Sequence, residues 1–414
     1  MRDYLLFVRQ NLALLTFGFM TIFTGNLGQS FFIAWFGAGI QESLDLSAGV
    51  YGSAYSFATL CSAITVIWAG GLIDQMPLRR YVVLISMGLA LALLVLSQTQ
   101  SLPLLLLGFF LLRLFGQSLL PHTGSTTMSR YFKDGRGKAL SLASSGMPIG
   151  EVVLPVLAVA SIAWVGWQYT YLGLSLSVLL LMLPLFLWLL GKSPRLDETS
   201  SPEQTAEDKT VPGQLNKPPG RGAVLRDYRF WLALPGLIAG PFLLTGLFIH
   251  QNFLLSEKGW SMNWLATCFI IYGTVHWVSS LISGAVVDRL RAPRMLPWIL
   301  VPLLACMLTA AFVPGQWSAP LMMALLGVAA GAMPPVTGSL WPEIYGTARL
   351  GAIRAMNMSI MVLSTAISPV LFGYFIDRSV SGAQLYGACS VFVAVALVLM
   401  CLSYPANSRP VANS

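Results

Sequence analysis

Long apolar runs alternate with short polar segments along the whole chain. A helix needs about 20 apolar residues, at ~1.5 Å per residue, to cross ~30 Å of hydrocarbon. The apolar residues come in runs of this length rather than at the alternating spacing of half-buried strands. They predict twelve transmembrane helices, α1 to α12, over residues 12–36, 48–73, 81–97, 102–129, 139–163, 168–190, 230–254, 262–287, 295–313, 319–338, 355–376 and 383–403.

One polar stretch is much longer than the others. Residues 191–227 are rich in Pro, Ser, Glu, Asp, Lys and Gly and contain almost no large apolar residue. A segment of this composition cannot bury a core, so it indicates a flexible linker. We therefore expect a six-helix bundle over residues 1–191, a linker over 192–227 and a second six-helix bundle over 228–414.

Composition agrees with a chain that lies in lipid. Only 10% of the 414 residues are charged and 56% are hydrophobic, whereas soluble domains are about 25% charged. The net charge of +8 does not indicate a nucleic-acid partner, because the basic residues lie in short loops between apolar runs. The five cysteines lack metal-ligand spacing and no catalytic motif is present. We expect no metal, no cofactor and no enzymatic activity.

The basic residues predict an orientation, since Lys and Arg concentrate in cytoplasmic loops. If the amino terminus is cytoplasmic, then Arg79 and Arg80 and the basic clusters after α4, α8 and α10 are cytoplasmic as well. The other side carries only Lys258 and Arg378. We expect a multi-pass plasma membrane protein of the bacterial inner-membrane type, with both termini and the linker in the cytoplasm.

The two halves of the chain match at one constant offset of 214 positions. Each half has an even number of predicted spans, so the halves have parallel topology, as in transporters built from two bundles around a central path. The matched landmarks lie on several different elements, and they are Gly70 with Gly284, Asp74 with Asp288, Arg80 with Arg294, Tyr131 with Tyr345, Gly137 with Gly351, and Pro155 with Pro369.

Two segments resemble signatures of the major facilitator superfamily. Gly70-Gly-Leu-Ile-Asp74-Gln-Met-Pro-Leu-Arg79-Arg80 resembles the superfamily's loop 2–3 signature, and residues 284–294 repeat it in the second half. Arg113-Leu-Phe-Gly116-Gln117 resembles its helix 4 motif. The resemblance covers essentially the whole chain. It implies an all-α membrane protein of twelve transmembrane helices in two pseudo-symmetric six-helix bundles.

The loop signature also suggests a gate at the cytoplasmic side. A carboxylate at position 74 can accept hydrogen bonds from the first amides of a facing helix, or from an arginine. We expect such a contact only when the bundles close on that side. The charged residues assigned to this gate are Asp74, Arg79, Arg80, Arg136, Asp288 and Arg294.

A third segment narrows the resemblance. Loop 4–5, from Arg130 to Leu140, resembles the corresponding loop of monocarboxylate-transporter-like members, which implies a small organic anion as substrate. Gly137, Gly146 and Gly150 match the glycine spacing of the superfamily's helix 5 antiporter motif. Glu151 then stands where that motif has proline, which disfavours a drug antiporter.

Two ionisable residues fall near the middle of predicted helices and at similar depth. A charge at the bilayer centre costs at least ~2.5 kcal/mol on insertion scales, so Arg113 and Glu151 are functional candidates. Because α4 and α5 are consecutive, we expect the two to pair, directly or through a substrate. The glutamate would exchange a proton and the arginine would bind an anion. A purely structural ion pair is the alternative.

The repeat places Gly327 opposite Arg113 and Thr365 opposite Glu151. We therefore expect the charge chemistry to belong to the first half alone. His250 and His276 could relay protons or serve as packing residues. The amides of Asn26, Gln29, Gln117 and Asn357 could line a polar path or join helices. Tyr55 and Tyr272 could form aromatic walls of the path or serve as packing residues. The Met333-Pro334-Pro335 sequence is expected to break α10.

Together these features predict a monomeric secondary active transporter. It would move a small organic anion by proton symport through rocker-switch alternation of the two bundles. The alternative is a proton-driven exporter of drugs or amphipathic metabolites, which gains support if Glu151 neutralises Arg113. A role as a sensor is disfavoured because the sequence shows no soluble signalling domain. A channel is disfavoured because the repeat of two bundles suits alternating access.

Overall fold

The first bundle contains the six helices that the apolar runs predict. The computed structural model describes residues 2–132, 135–193, 221–346 and 350–404. A short helix, Arg2–Gln10, precedes α1. Helix α1 is interrupted; it begins with Leu12–Gly25 and ends with Gly37–Leu44. Helix α2 comprises Ala48–Ala69 and Leu72–Gln75, α3 is Leu78–Ser97, and α4 comprises Leu102–Leu111, Leu112–Leu119 and Leu120–Tyr131. Helices α5 and α6 together comprise Arg136–Ser144, Gly146–Ser177, Val178–Met182 and Leu183–Gly191.

The second bundle follows the prediction equally closely. Of the predicted linker, residues 194–220 lie outside the described residues, and the prediction of flexibility there stays untested. Its last part is helical, over Arg221–Arg226. Helix α7 comprises Tyr228–Ile249 and Gln251–Lys258, α8 is Met262–Leu290, and α9 comprises Ala292–Met295, Pro297–Ile299 and Leu300–Phe312. Helix α10 is Ser318–Tyr345, α11 is Leu350–Asp377 and α12 is Gly382–Ser403.

The number of crossings agrees with the prediction once two features are considered. Ten described helices are long and apolar enough to cross a membrane. One of them, Arg136–Gly191, has 56 residues and is too long for one crossing, and its backbone is broken at Gly166, where φ is 85°. It therefore forms both α5 and α6. The shorter apolar helix Leu12–Gly28 belongs to α1, which completes twelve.

Helix α1 is not continuous as predicted. A 3-10 turn at Asn26–Gly28 and an extended Gln29 interrupt it, and further helical segments carry it on to Leu44. The interruption brings the α1 backbone close to α4. A side chain at Gly28 would overlap the backbone of Leu112 and Gly116, so the close approach requires glycine there.

Helix α10 is not broken at its prolines, contrary to expectation. It runs without interruption through Pro334, Pro335 and Pro342 to Tyr345. A proline has no N–H to donate to the carbonyl four residues earlier, so each proline leaves one carbonyl free. Neighbouring helices and side chains can satisfy such groups in a membrane protein, which lets the helix continue.

The internal repeat is visible in the helix caps. The side chain of Ser47 accepts a hydrogen bond from the Val50 amide at the start of α2. Ser261 accepts one from the Trp264 amide at the start of α8. Both members of the second pair lie 214 positions after the first, so the offset read from the sequence also relates capping interactions in the structure.

The bundles meet at the end of the molecule that lies away from the arginine-rich loops. We call the end with the exposed Arg79, Arg80, Arg130, Arg289 and Arg294 the basic face, and the other end the opposite face. Near the opposite face α2 packs against α11. Gly49 lies against Gly373 and Gly52 against the carbonyl of Pro369. Small residues there allow the two backbones to approach closely.

A carboxylate completes this contact. Asp377, at the end of α11, accepts hydrogen bonds from the Ser47 hydroxyl at 2.7 Å and from the Gly49 amide at 3.0 Å. These groups belong to the first turn of α2, where the helix dipole favours a negative charge. Asp377 therefore joins the second bundle to the first at the opposite face.

Aromatic side chains fill the space between the bundles just below this contact. Trp35 lies edge-on to Phe269 with ring centroids 5.4 Å apart. Phe31 lies 6.5 Å from Phe248 and 6.0 Å from Phe269. Since Phe31 and Trp35 belong to α1 and the other two to α7 and α8, the cluster seals the opposite face against water.

We predict that Asp377→Asn weakens closure of the opposite face. A hydrogen bond of this kind contributes about 0.5–1 kcal/mol where it is exposed, so the equilibrium constant for closure should fall about twofold to fivefold. Spin labels at Glu42→Cys and Ser256→Cys, both exposed at this face, in a background without native cysteines, report the separation of the bundles. Longer distances between the two labels are expected in Asp377→Asn.

The control is Asp45→Asn, which changes an exposed aspartate at the same face and should leave the distances unchanged. An equal shift in both variants would contradict the assigned role of Asp377.

Candidate functional site

A cavity of about 590 Å³ lies in the half of the protein nearer the basic face. Most of its wall comes from the second bundle, and Met147 and Glu151 of α5 supply the contribution of the first bundle. The wall is mainly apolar, as is usual for small-molecule sites. The polar side chains on it are Glu151, Tyr272, His276, Thr337, Arg354 and Asn357.

A hydrogen bond between the bundles lies at the wall of this cavity. Nδ1 of His276 donates to Oε2 of Glu151 over 2.6 Å. The Glu151 side chain is 3% exposed and that of His276 is 16% exposed. A buried carboxylate without a partner would be very costly, so this histidine stabilises the only acid on the cavity wall within the described residues. The pair can share or release a proton.

Glycines position the two members of the pair. Gly273 brings α8 against α5, since a side chain there would overlap the carbonyl of Pro148 and the side chain of Val152. Gly327 of α10 lies against the carbonyl of Tyr272 in the same way. Helix α8 is thereby held between α5 and α10, with His276 directed to α5.

The predicted direct pairing of Arg113 with Glu151 is wrong for this structure. Arg113 is 3% exposed, and its Nη1 donates to the carbonyl of Gly28 at 3.3 Å. Its guanidinium lies 5.0 Å from the ring centroid of Tyr55. These partners belong to α1 and α2, while Glu151 faces α8. Arg113 therefore does not line the cavity in this conformation.

The backbone around Arg113 is also unusual. Residues Leu112–Leu119 of α4 are π-helical, a geometry that is rare and often found at functional sites. The wider turn carries Arg113 toward Gly28, the residue at which α1 is interrupted. Gln117, in the same segment, is half-buried, as is Gln29 on α1.

Asn26 joins helices rather than lining the cavity. Its Nδ2 donates to the carbonyl of Gly146 at 3.1 Å and approaches that of Met147 at 3.4 Å. A side chain at Gly150 would overlap the Asn26 carboxamide. The glycines at the start of α5 therefore let α1 and α5 pack together, and Gly146 and Gly150 need no antiporter role to explain them.

The two histidines singled out in the sequence analysis lie in different places. His276 lies at the cavity, whereas His250 lies near the opposite face and donates from Nε2 to the carbonyl of Pro369 at 2.8 Å. His250 thus supports the segment of α11 that contacts α2. Tyr272 and Asn357 both line the cavity, and a role for either in a transport path stays a prediction.

The charged residues of the predicted gate are exposed at the basic face. Asp74 pairs with Arg130, which belongs to the same bundle rather than to a facing helix. In the second bundle Glu343 pairs with Arg291 at 3.5 Å and accepts from the Ala292 amide at 3.0 Å. A gating role for these residues, in a conformation closed at this face, stays a prediction.

Sequence reasoning identified only Asn357 from one wall of the cavity and missed the other residues. Arg354, Asn357, Met358 and Met361 all line it from α11. Their spacing of three, four and seven residues places them on one face of a helix. That spacing is present in the sequence, but Arg354 belongs to the basic cluster after α10, which was used only to predict the orientation in the membrane.

The comparisons with known proteins agree with this architecture. The family model of the Major Facilitator Superfamily matches residues 17–369, and the chain belongs to that superfamily of membrane transporters. It is 27% identical over 334 residues to monocarboxylate transporter 13 of Rattus norvegicus, which covers 78% of this chain and 74% of the relative.

Two solved structures share the fold. A bacterial homologue of the human lysosomal transporter Spinster, inward-facing and unoccupied, matches with a TM-score of 0.68 and 14% identity over 98% of each chain. The same protein, inward-facing and occupied, matches with a TM-score of 0.66 and 15% identity over 97% of this chain and 96% of that one. At this identity the likeness concerns the fold alone.

Gly150→Ala should destabilise the protein, because the added methyl group would overlap Asn26. Overpacking of this kind costs about 1–3 kcal/mol, so the thermal melting temperature in detergent should fall by several degrees. Gly137→Ala is the matched control, since no atom lies within 4 Å of a side chain at that position. It should be neutral or slightly stabilising, because alanine favours helix. Equal melting temperatures for the two variants would contradict this account of α1–α5 packing.

Proposed function

We propose that the protein is a proton-coupled transporter of small monocarboxylates, rather than an enzyme. The observation that carries the proposal is the hydrogen bond between Glu151 and His276, which joins the two bundles at the cavity wall. Its members change their surroundings whenever the bundles move, so a proton held there is linked to the conformational change.

The orientation in this proposal follows from the basic residues. Lys and Arg concentrate on the cytoplasmic side of membrane proteins, so the basic face is cytoplasmic and the protein lies in a plasma membrane of the bacterial inner-membrane type. The cavity then faces the cytoplasm while the opposite face is closed. In the other conformation α2 separates from α11, and the aromatic side chains of α1 separate from those of α7 and α8. The basic face closes at the same time.

An anionic substrate is supported by the charge at the cavity and by the relative. Glu151 is hydrogen-bonded to His276, and Arg354 adds a positive charge to the cavity wall. The similarity to a monocarboxylate transporter points to the same class. Arg113 forms no ion pair with Glu151 in this structure. In the proposed cycle it contacts the substrate only when the protein is open at the opposite face.

A second candidate function is export of uncharged amphipathic metabolites. The apolar wall of the cavity favours it, because four methionines and Trp341 present a large adaptable surface. The two functions differ in whether the substrate needs a carboxylate. Transport of neutral amides at the same rate as the matching acids would favour export.

Glu151→Gln should abolish proton-driven accumulation and retain exchange. Glutamine can still accept from His276 but cannot bind a proton, so the bundles keep their contact while coupling is lost. In proteoliposomes with an imposed pH gradient, accumulation of a labelled monocarboxylate should fall at least tenfold. Counterflow, in which labelled and unlabelled acid exchange without a gradient, should continue.

The matched control is Glu42→Gln, which removes an exposed acid at the opposite face. It should accumulate substrate as the wild type does. Retention of gradient-driven accumulation by Glu151→Gln would remove the proton role of the pair. Failure of the wild-type protein to move any monocarboxylate would refute the proposed function itself.

A further inference from the structure

The wall that α11 contributes to the cavity combines one cation, one amide and a row of thioethers. Arg354 lies at the end nearer the basic face, followed by Asn357, Met358 and Met361. From Arg354 to Met361 the helix rises ~10 Å. The polar groups therefore come first and the apolar groups deeper in the cavity.

Arg354 is held in place by the helix opposite. Its Nη2 donates to the carbonyl of Gly338 at 2.9 Å. That carbonyl has no partner within α10, because the residue four positions later is Pro342, which has no N–H. Binding one carbonyl uses one of five guanidinium donors. Among the described residues no carboxylate pairs with Arg354, so the others can bind an anion.

Asn357 is a buried amide without a strong partner. It is 5% exposed, its Oδ1 has no hydrogen bond, and its Nδ2 contacts only the sulfur of Met361, at 3.3 Å. A thioether is a weak acceptor, so this N–H is available to a better one. Asn357 lies one turn from Arg354, and both groups can reach the same carboxylate.

The rest of the cavity suits an apolar body. The side chains of four methionines line it, and Trp341 adds an aromatic surface; the methionines are Met147, Met333, Met358 and Met361. Methionine side chains adapt to different shapes. The cavity volume of about 590 Å³ falls within the range that holds drug-sized ligands. An acid of two or three carbons would leave most of the cavity's apolar wall in contact with water.

We propose that Arg354 and Asn357 bind the carboxylate of the substrate, and that the methionines select acids with an aryl or medium-length alkyl group. This inference rests on the proposed function and names the substrate class of the same cavity. The carboxylate enters at the basic face, and the apolar body extends toward Glu151 and His276. Small hydrophilic acids such as lactate are then poor substrates.

The test compares acids with their neutral amides. In proteoliposomes, phenylacetate should compete with labelled hexanoate at least tenfold better than phenylacetamide does. Arg354→Gln should lose this discrimination and raise the KM for hexanoate about tenfold or more, and Asn357→Ala should do so to a smaller extent. Arg354→Lys should retain part of the discrimination. Arg289→Gln, which removes an exposed arginine of the basic face outside the cavity, should behave as the wild type.

Chain length tests the apolar part independently. From acetate to hexanoate the KM should fall about threefold to fourfold per methylene that becomes buried, and Met358→Ala with Met361→Ala should flatten this dependence. Size-exclusion profiles and melting temperatures confirm that each variant is folded.

The outcomes separate the two proposals. If the wild type transports acids in a pH-dependent way but Arg354→Gln keeps its preference for acid over amide, the assignment of Arg354 is overturned and the proposed function stands. If acetate and hexanoate have equal KM values, the selection by methionines is overturned. If no acid is transported at all, the proposed function fails first.

Discussion

Close packing of α2 against α11 closes one end of the space between the two bundles. The two backbones meet through Gly49, Gly52 and Gly373, where no side chain separates them. With one end closed in this way, the space between the helices can widen only toward the basic face. The aromatic cluster of α1, α7 and α8 fills the gap that glycine contacts leave. The cavity lies between the helices on the side away from this contact.

Much of the fold could be predicted because its causes are local. Apolar run length and the placement of Lys and Arg reflect the membrane directly, and the offset of 214 positions reflects an internal repeat. The interruption of α1 at Asn26 and the continuity of α10 through Pro334 could not be predicted. Both features depend on neighbouring helices. The backbone of α4 lies close to α1 where α1 is interrupted, and groups outside α10 can bind the carbonyls that its prolines leave free.

The site was harder to predict than the fold. Glu151 was identified from its depth, but its partner His276 lies 125 positions away on the other bundle, and no sequence pattern links them. The expectation that charge chemistry belongs to the first half alone is therefore wrong. Arg354 shows the opposite difficulty, since an arginine near a helix end has the same sequence signature whether it fixes topology or faces a cavity.

The hydrogen bond between Glu151 and His276 has a thermodynamic consequence of its own. In the proposed function this pair holds a proton, and any movement that separates the bundles deprives each group of the neighbour that stabilises it. Linkage is reciprocal, so the pH must shift the balance between conformations by the same free energy. Under the proposed alternating access, the ratio of the two orientations should therefore vary, even without solute, with the acidity of the side to which the cavity opens.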